Sequence, residues 1–73
     1  MIKNKVAAEE ISKLMLELSA RINDSVVSVR DLCDEENFKA YRRAAGKIMA
    51  EILFEVLNPL YTDHPSIKPP ELA

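Results

Sequence analysis

Leu32-Cys33-Asp34-Glu35-Glu36-Asn37-Phe38 divides the chain into two helical texts. Asp34 is a residue type that accepts from the unpaired amides opening a helix, and Glu35 and Glu36 place negative charge at the positive end of the helix dipole. The stretch predicts a helix beginning at about residue 35. Whatever precedes Cys33 then belongs to a separate element.

On the N-terminal side, Ile11, Met15, Leu18, Ile22, Ser25, Val29 and Leu32 recur at alternating steps of four and three. That spacing lines one side of a helix and predicts one over about 3-33. Leu14, Val26 and Cys33 flank the stripe and widen it beyond a two-helix seam, so more than one partner helix is expected. Asn23-Asp24-Ser25, followed by Val26-Val27-Ser28-Val29, collects poor helix formers. A break or a short strand there is the competing reading. A single helix is preferred, because the stripe stays in phase across this point and a lone strand would find no partner.

On the C-terminal side, Phe38, Tyr41, Ala45, Ile48, Ile52 and Val56 form a second stripe, with Met49, Leu53 and Leu57 beside it. It is expected to stop at Asn58-Pro59, since proline lacks the amide and disfavours helix at the residue before it. A connection of only a residue or two forces an antiparallel helical hairpin, about 3-33 against 35-58, within a hairpin region 1-58. Folding about that turn sets Val29 near Phe38, Ile22 near Ala45 and Gly46, Leu18 near Met49, Met15 near Leu53 and Ile11 near Leu57. The closest approach is expected at Gly46. Residues 59-73 contain Pro59, Pro65, Pro69 and Pro70 and read as an extended Pro-rich C-terminal arm. Tyr61, Ile67 and Leu72 are its candidate anchors, expected to hold residues 60-68 on the bundle while residues 71-73 fray. The competing reading is a linear motif for an outside partner.

The composition agrees with an all-α fold. The 73 residues include one glycine and no tryptophan, and 30% are charged, which argues against a small barrel or sandwich and leaves room for one domain. A hairpin this small is short of core, and the apolar residues of the second helix wrap about half its cylinder. Two hairpins dimerising into a four-helix bundle would bury that surface, with Leu18, Ile48, Met49, Ile52 and Leu53 as candidate dimer core. A monomer whose arm covers the face is the competitor.

Charge and chemistry narrow the function classes. A net charge of -2 gives no general attraction to nucleic acid or an anionic membrane. Lys39, Arg42, Arg43 and Lys47 form the one basic cluster, a candidate anion or nucleic-acid face. The plainer reading is ion pairing with Glu51, Glu55, Asp24 and Asp31. The carboxylates lack the Glu-x-x-His spacing of two-metal bundles, and the single histidine, His64, sits between Asp63 and Pro65, so no metal or cofactor is expected. Cys33 has no second cysteine to pair with, and is expected to be a half-buried structural residue in a reducing compartment. The N-terminal text is too charged for a signal peptide, and no apolar run suits a membrane span. These features together predict a small non-catalytic cytoplasmic homodimer that binds a protein partner through its bundle surface or its arm. The alternative is a nucleic-acid-associated regulator using the basic face.

Overall fold

Asn4 and Asp34 open the two long helices in the same way. The Asn4 Oδ1 accepts from the Ala7 amide at 3.0 Å, and the Asp34 Oδ1 accepts from the Asn37 amide at 2.7 Å. In the computed structural model, which describes residues 1–72, these caps start α1 (Lys5–Val29) and α2 (Glu35–Glu51). There is no strand among the described residues. Helix α1 runs unbroken through Asn23-Asp24-Ser25, because the nearby hydroxyls are satisfied on the helix itself. Ser25 Oγ donates to the Ile22 carbonyl at 2.6 Å and Ser28 Oγ to the Asp24 carbonyl at 2.9 Å.

The connection is longer than the expected residue or two. Helix α1 stops at Val29 instead of reaching residue 33, and Arg30–Asp34 make the turn, closed by the Leu32 amide on the Val29 carbonyl at 3.0 Å. Cys33 is solvent-exposed in this turn, not half-buried, because the chain has already left the helix before reaching it.

The second helix also departs from expectation at its far end. It does not stop at Asn58-Pro59 but passes through a π-helical segment, Ile52–Leu57, into a further helix α3 (Asn58–Asp63). A regular α-helix would drive the proline ring into the carbonyl four residues back. Here the turn ahead of Pro59 is widened, and the Asn58 amide reaches back to the Leu53 carbonyl five residues earlier. Asn58 itself keeps right-handed helical angles despite the proline that follows. The segment expected as an extended arm is therefore helical to Asp63, and short 3-10 turns follow at Pro65–Ile67 and Pro70–Leu72. The expected fraying of residues 71-73 includes Ala73, which lies outside the described residues.

Two side-chain hydrogen bonds tie the helices together. Ser25 Oγ meets Tyr41 Oη at 2.6 Å near the turn, and Ser12 Oγ meets Tyr61 Oη at 2.5 Å toward the other end. Both can form only if α1 and the second helical rod run antiparallel. The hairpin measures 45 × 20 × 16 Å, with a radius of gyration of 14.6 Å. A compact chain of this length would have a radius of about 11 Å. The core is correspondingly thin and lies at the end away from the turn. Ala8, Leu57, Leu60 and Tyr61 are buried there, with Ile11, Met15, Ile52, Leu53 and Ile67 packed around them. From Lys13 to Ala44 no residue is buried.

The close approach expected at Gly46 does not occur. A Cβ added to Gly46 would meet nothing within 4 Å, whereas the neighbouring Ala45 is buried. The facing position is thus one residue earlier, and the glycine looks toward solvent.

Candidate functional site

Leu14 and Leu18 precede Ser25 on α1 by eleven and seven residues, and Ile48 follows Tyr41 on α2 by seven. Seven residues are close to two helical turns, so each set lies in a row along one side of its helix. The Ser25–Tyr41 hydrogen bond brings the two rows side by side on the same face of the hairpin. Moving seven residues from that bond along either helix covers the same axial distance, which sets Leu18 level with Ile48. Leu18 is 39% exposed and Ile48 52% exposed, and Leu14 and Tyr41 are exposed as well. The result is an apolar strip centred near the middle of α1 and open to solvent.

The quantity of exposed surface matches this picture. The chain presents 5469 Å². A folded monomer of its mass, 8.2 kDa, would ordinarily present about 4500 Å². The excess is close to the ~800 Å² that each partner contributes to an interface of standard size.

The five residues read as dimer core fall into three settings. Leu18 and Ile48 belong to the exposed strip, while Met49 is half-buried. Ile52 and Leu53 are already engaged by the core at the far end. Among the arm anchors, Tyr61 is buried and bonded to Ser12, Ile67 packs on the core, and Leu72 is exposed.

Lys39, Arg42, Arg43 and Lys47 all lie exposed on α2, without the cross-helix pairing considered above. Lys39 pairs with Glu35 at 3.2 Å, and the Arg42 guanidinium stands 5.7 Å from the Phe38 ring centre. Among the described residues, neither Arg43 nor Lys47 has a carboxylate within ion-pair distance, and neither Asp24 nor Asp31 reaches the cluster. Phe54, 64% exposed, continues the same side of the helix beyond Lys47.

A polar clasp, which sequence reasoning did not anticipate, joins the two chain ends of the hairpin. The Met1 ammonium contacts Asp63 Oδ2 at 2.5 Å, and His64 Nε2 contacts the Ile2 carbonyl at 2.5 Å. The hydrogen bond from that ammonium, and then its charge, hold the Asp63 carboxyl below its ordinary value, with His64 lowering it further and burial opposing. The only advance signal was a pair of polar residues, Asp63 and His64, next to a proline. Among the described residues no three His, Cys, Asp or Glu side chains are grouped to hold a metal ion. No helix among them is long and apolar enough to cross a membrane. No protein family, no curated protein and no solved structure matches the chain.

Proposed function

We propose that this chain is a small non-catalytic homodimeric interaction protein of the cytoplasm. In this reading two hairpins close on their apolar strips into a four-helix bundle, and the bundle surface or the C-terminal segment takes up a protein partner. The observation that carries it is the exposed strip of Leu14, Leu18, Tyr41 and Ile48 on a molecule with about one interface's worth of excess surface. The unpaired Cys33 supports a reducing setting. Light scattering at micromolar concentration should return twice the chain mass. Ile48→Glu, at a position half open to solvent, should return the chain mass with helical circular dichroism retained. A monomeric mass for the unaltered protein, with ordinary solubility, overturns the proposal.

A second reading is favoured by one observation, the absence of carboxylate partners for Arg43 and Lys47 among the described residues. The exposed row on α2 would then contact phosphates. Mixed DNA and RNA probes should be retarded at low salt, and charge reversal at Arg42 and Arg43 should abolish the shift. Unretarded probes at low salt remove this reading.

A further inference from the structure

We infer that the second copy docks antiparallel on the Leu18 and Ile48 strip, so that the turn end of each hairpin lies beside the far end of the other. This rests on the homodimer reading above and adds to it the face and the direction of pairing. The face follows from exposure. Leu18 and Ile48 are level with each other and lie near the middle of the hairpin's length, so a two-fold axis through them superposes the two strips.

The direction follows from charge. At the turn, residues 28–36 hold Arg30 against Asp31, Asp34, Glu35 and Glu36, leaving three net negative charges. At the far end, residues 1–8 and 58–72 hold Lys3, Lys5 and Lys68 against Asp63 and Glu71, leaving one net positive charge on the side chains. The stretch between them sums to zero, six basic against six acidic side chains. Its basic Lys39, Arg42, Arg43 and Lys47 lie toward the turn and its acidic Glu9, Glu10, Glu51 and Glu55 toward the far end, so antiparallel pairing sets these opposite groups beside each other as well. Parallel pairing would set two strongly acidic ends side by side. Antiparallel pairing sets each acidic end beside a basic one, and it separates the like ends by roughly 40 Å, well beyond the ~10 Å over which charges are felt at 0.1 M salt.

The distribution of core points the same way. No residue between Lys13 and Ala44 is buried, whereas the far end carries Ala8, Leu57, Leu60 and Tyr61. Antiparallel docking lays the well-packed end of one copy along the thin end of the other. Parallel docking would leave both thin ends together.

Cys33 is the chain's one cysteine and sits exposed at the turn, so it reports direction directly. The full chain, spin-labelled at Cys33, should give an intermolecular distance of roughly 40 Å, comparable to the 45 Å length of the hairpin. A distance under about 20 Å, two packed helix layers, would overturn the antiparallel direction while leaving the dimer standing. A monomeric mass with no intermolecular distance would instead remove the homodimer reading beneath it. Ile48→Glu should erase the distance with helicity unchanged, and Phe54→Glu, exposed in the π-helical segment outside the Leu14, Leu18, Tyr41 and Ile48 strip, should preserve it. The reverse pattern would show that the wrong face had been assigned.

Discussion

Leu60 follows Pro59, in a segment whose prolines read as an extended arm, yet it lies in helix α3 with its side chain 0% exposed, at the centre of the buried cluster with Ala8, Leu57 and Tyr61. Leu60→Ala removes three buried carbons, a methine and two methyls, and leaves a cavity between α1 and α3. Such truncations cost about 2–5 kcal/mol, depending on how far the surroundings collapse. The whole domain is expected to be stable by only about 4–11 kcal/mol, at roughly 0.05–0.15 kcal/mol per residue. A single methyl-bearing side chain beyond the proline thus controls a large share of folding. Urea denaturation followed by circular dichroism, at one fixed protomer concentration because association adds to apparent stability, measures the difference. Leu72→Ala is the matched control, since Leu72 is exposed and should change stability by less than about 0.5 kcal/mol. Equal, small effects of the two substitutions would refute the assignment of residues 58–63 to the core.

Three further outcomes follow from single contacts. Tyr61→Phe keeps the ring but leaves Ser12 Oγ buried without its 2.5 Å partner, and should cost about 1–3 kcal/mol in the same urea assay. Gly46→Ala should raise stability by about 0.5–1 kcal/mol, because the added Cβ meets nothing within 4 Å and glycine is costly inside a helix; a lower melting temperature would contradict that geometry. With the amino group of Met1 free, the Asp63 carboxyl titrates below its ordinary value of 3.8, so the contact stabilises the fold above that value and its contribution is lost as the pH falls through the lowered folded one. Acetylating the amino group should bring the Asp63 titration, followed by NMR, back toward its ordinary range.

The caps were the most legible part of the chain. Asp34, Glu35 and Glu36 mark the start of α2 because capping is a local interaction, decided by residues three apart. Helix α1 was legible for the same reason, as its stripe and its back-bonding serines act within a turn of themselves. The register across the hairpin was less so. It depends on the five-residue turn and on two hydroxyl pairs, Ser25–Tyr41 and Ser12–Tyr61, whose members are far apart in sequence. The exposed strip could be read only as a surplus of apolar residues. Which of them face water was fixed by the far-end core taking Ile52 and Leu53 and leaving Leu18 and Ile48.

The π-helical segment accounts for the one large departure. Continued in straight α phase, the row Ala45, Met49, Ile52 and Val56 would next turn Pro59 and Asp63 toward α1, an inward face with a charge and no sizeable hydrophobe. The residues that face inward are Leu57, Leu60, Tyr61 and, half-buried, His64, each displaced along the chain from that row. One extra residue accommodated in a wider turn advances everything downstream by about 100° around the helix axis, which is the displacement needed. Proline inside a regular helix costs about 3 kcal/mol, whereas burying a leucine-sized side chain contributes about 1.5–3 kcal/mol. With Leu57, Leu60 and Tyr61 all carried into the core, burial outweighs even the full proline penalty, and the wider turn relieves part of that penalty at Pro59 itself. The proline that reads as a helix stop therefore marks the point where the helix changes phase, and it is this change that turns Leu57, Leu60 and Tyr61 onto α1.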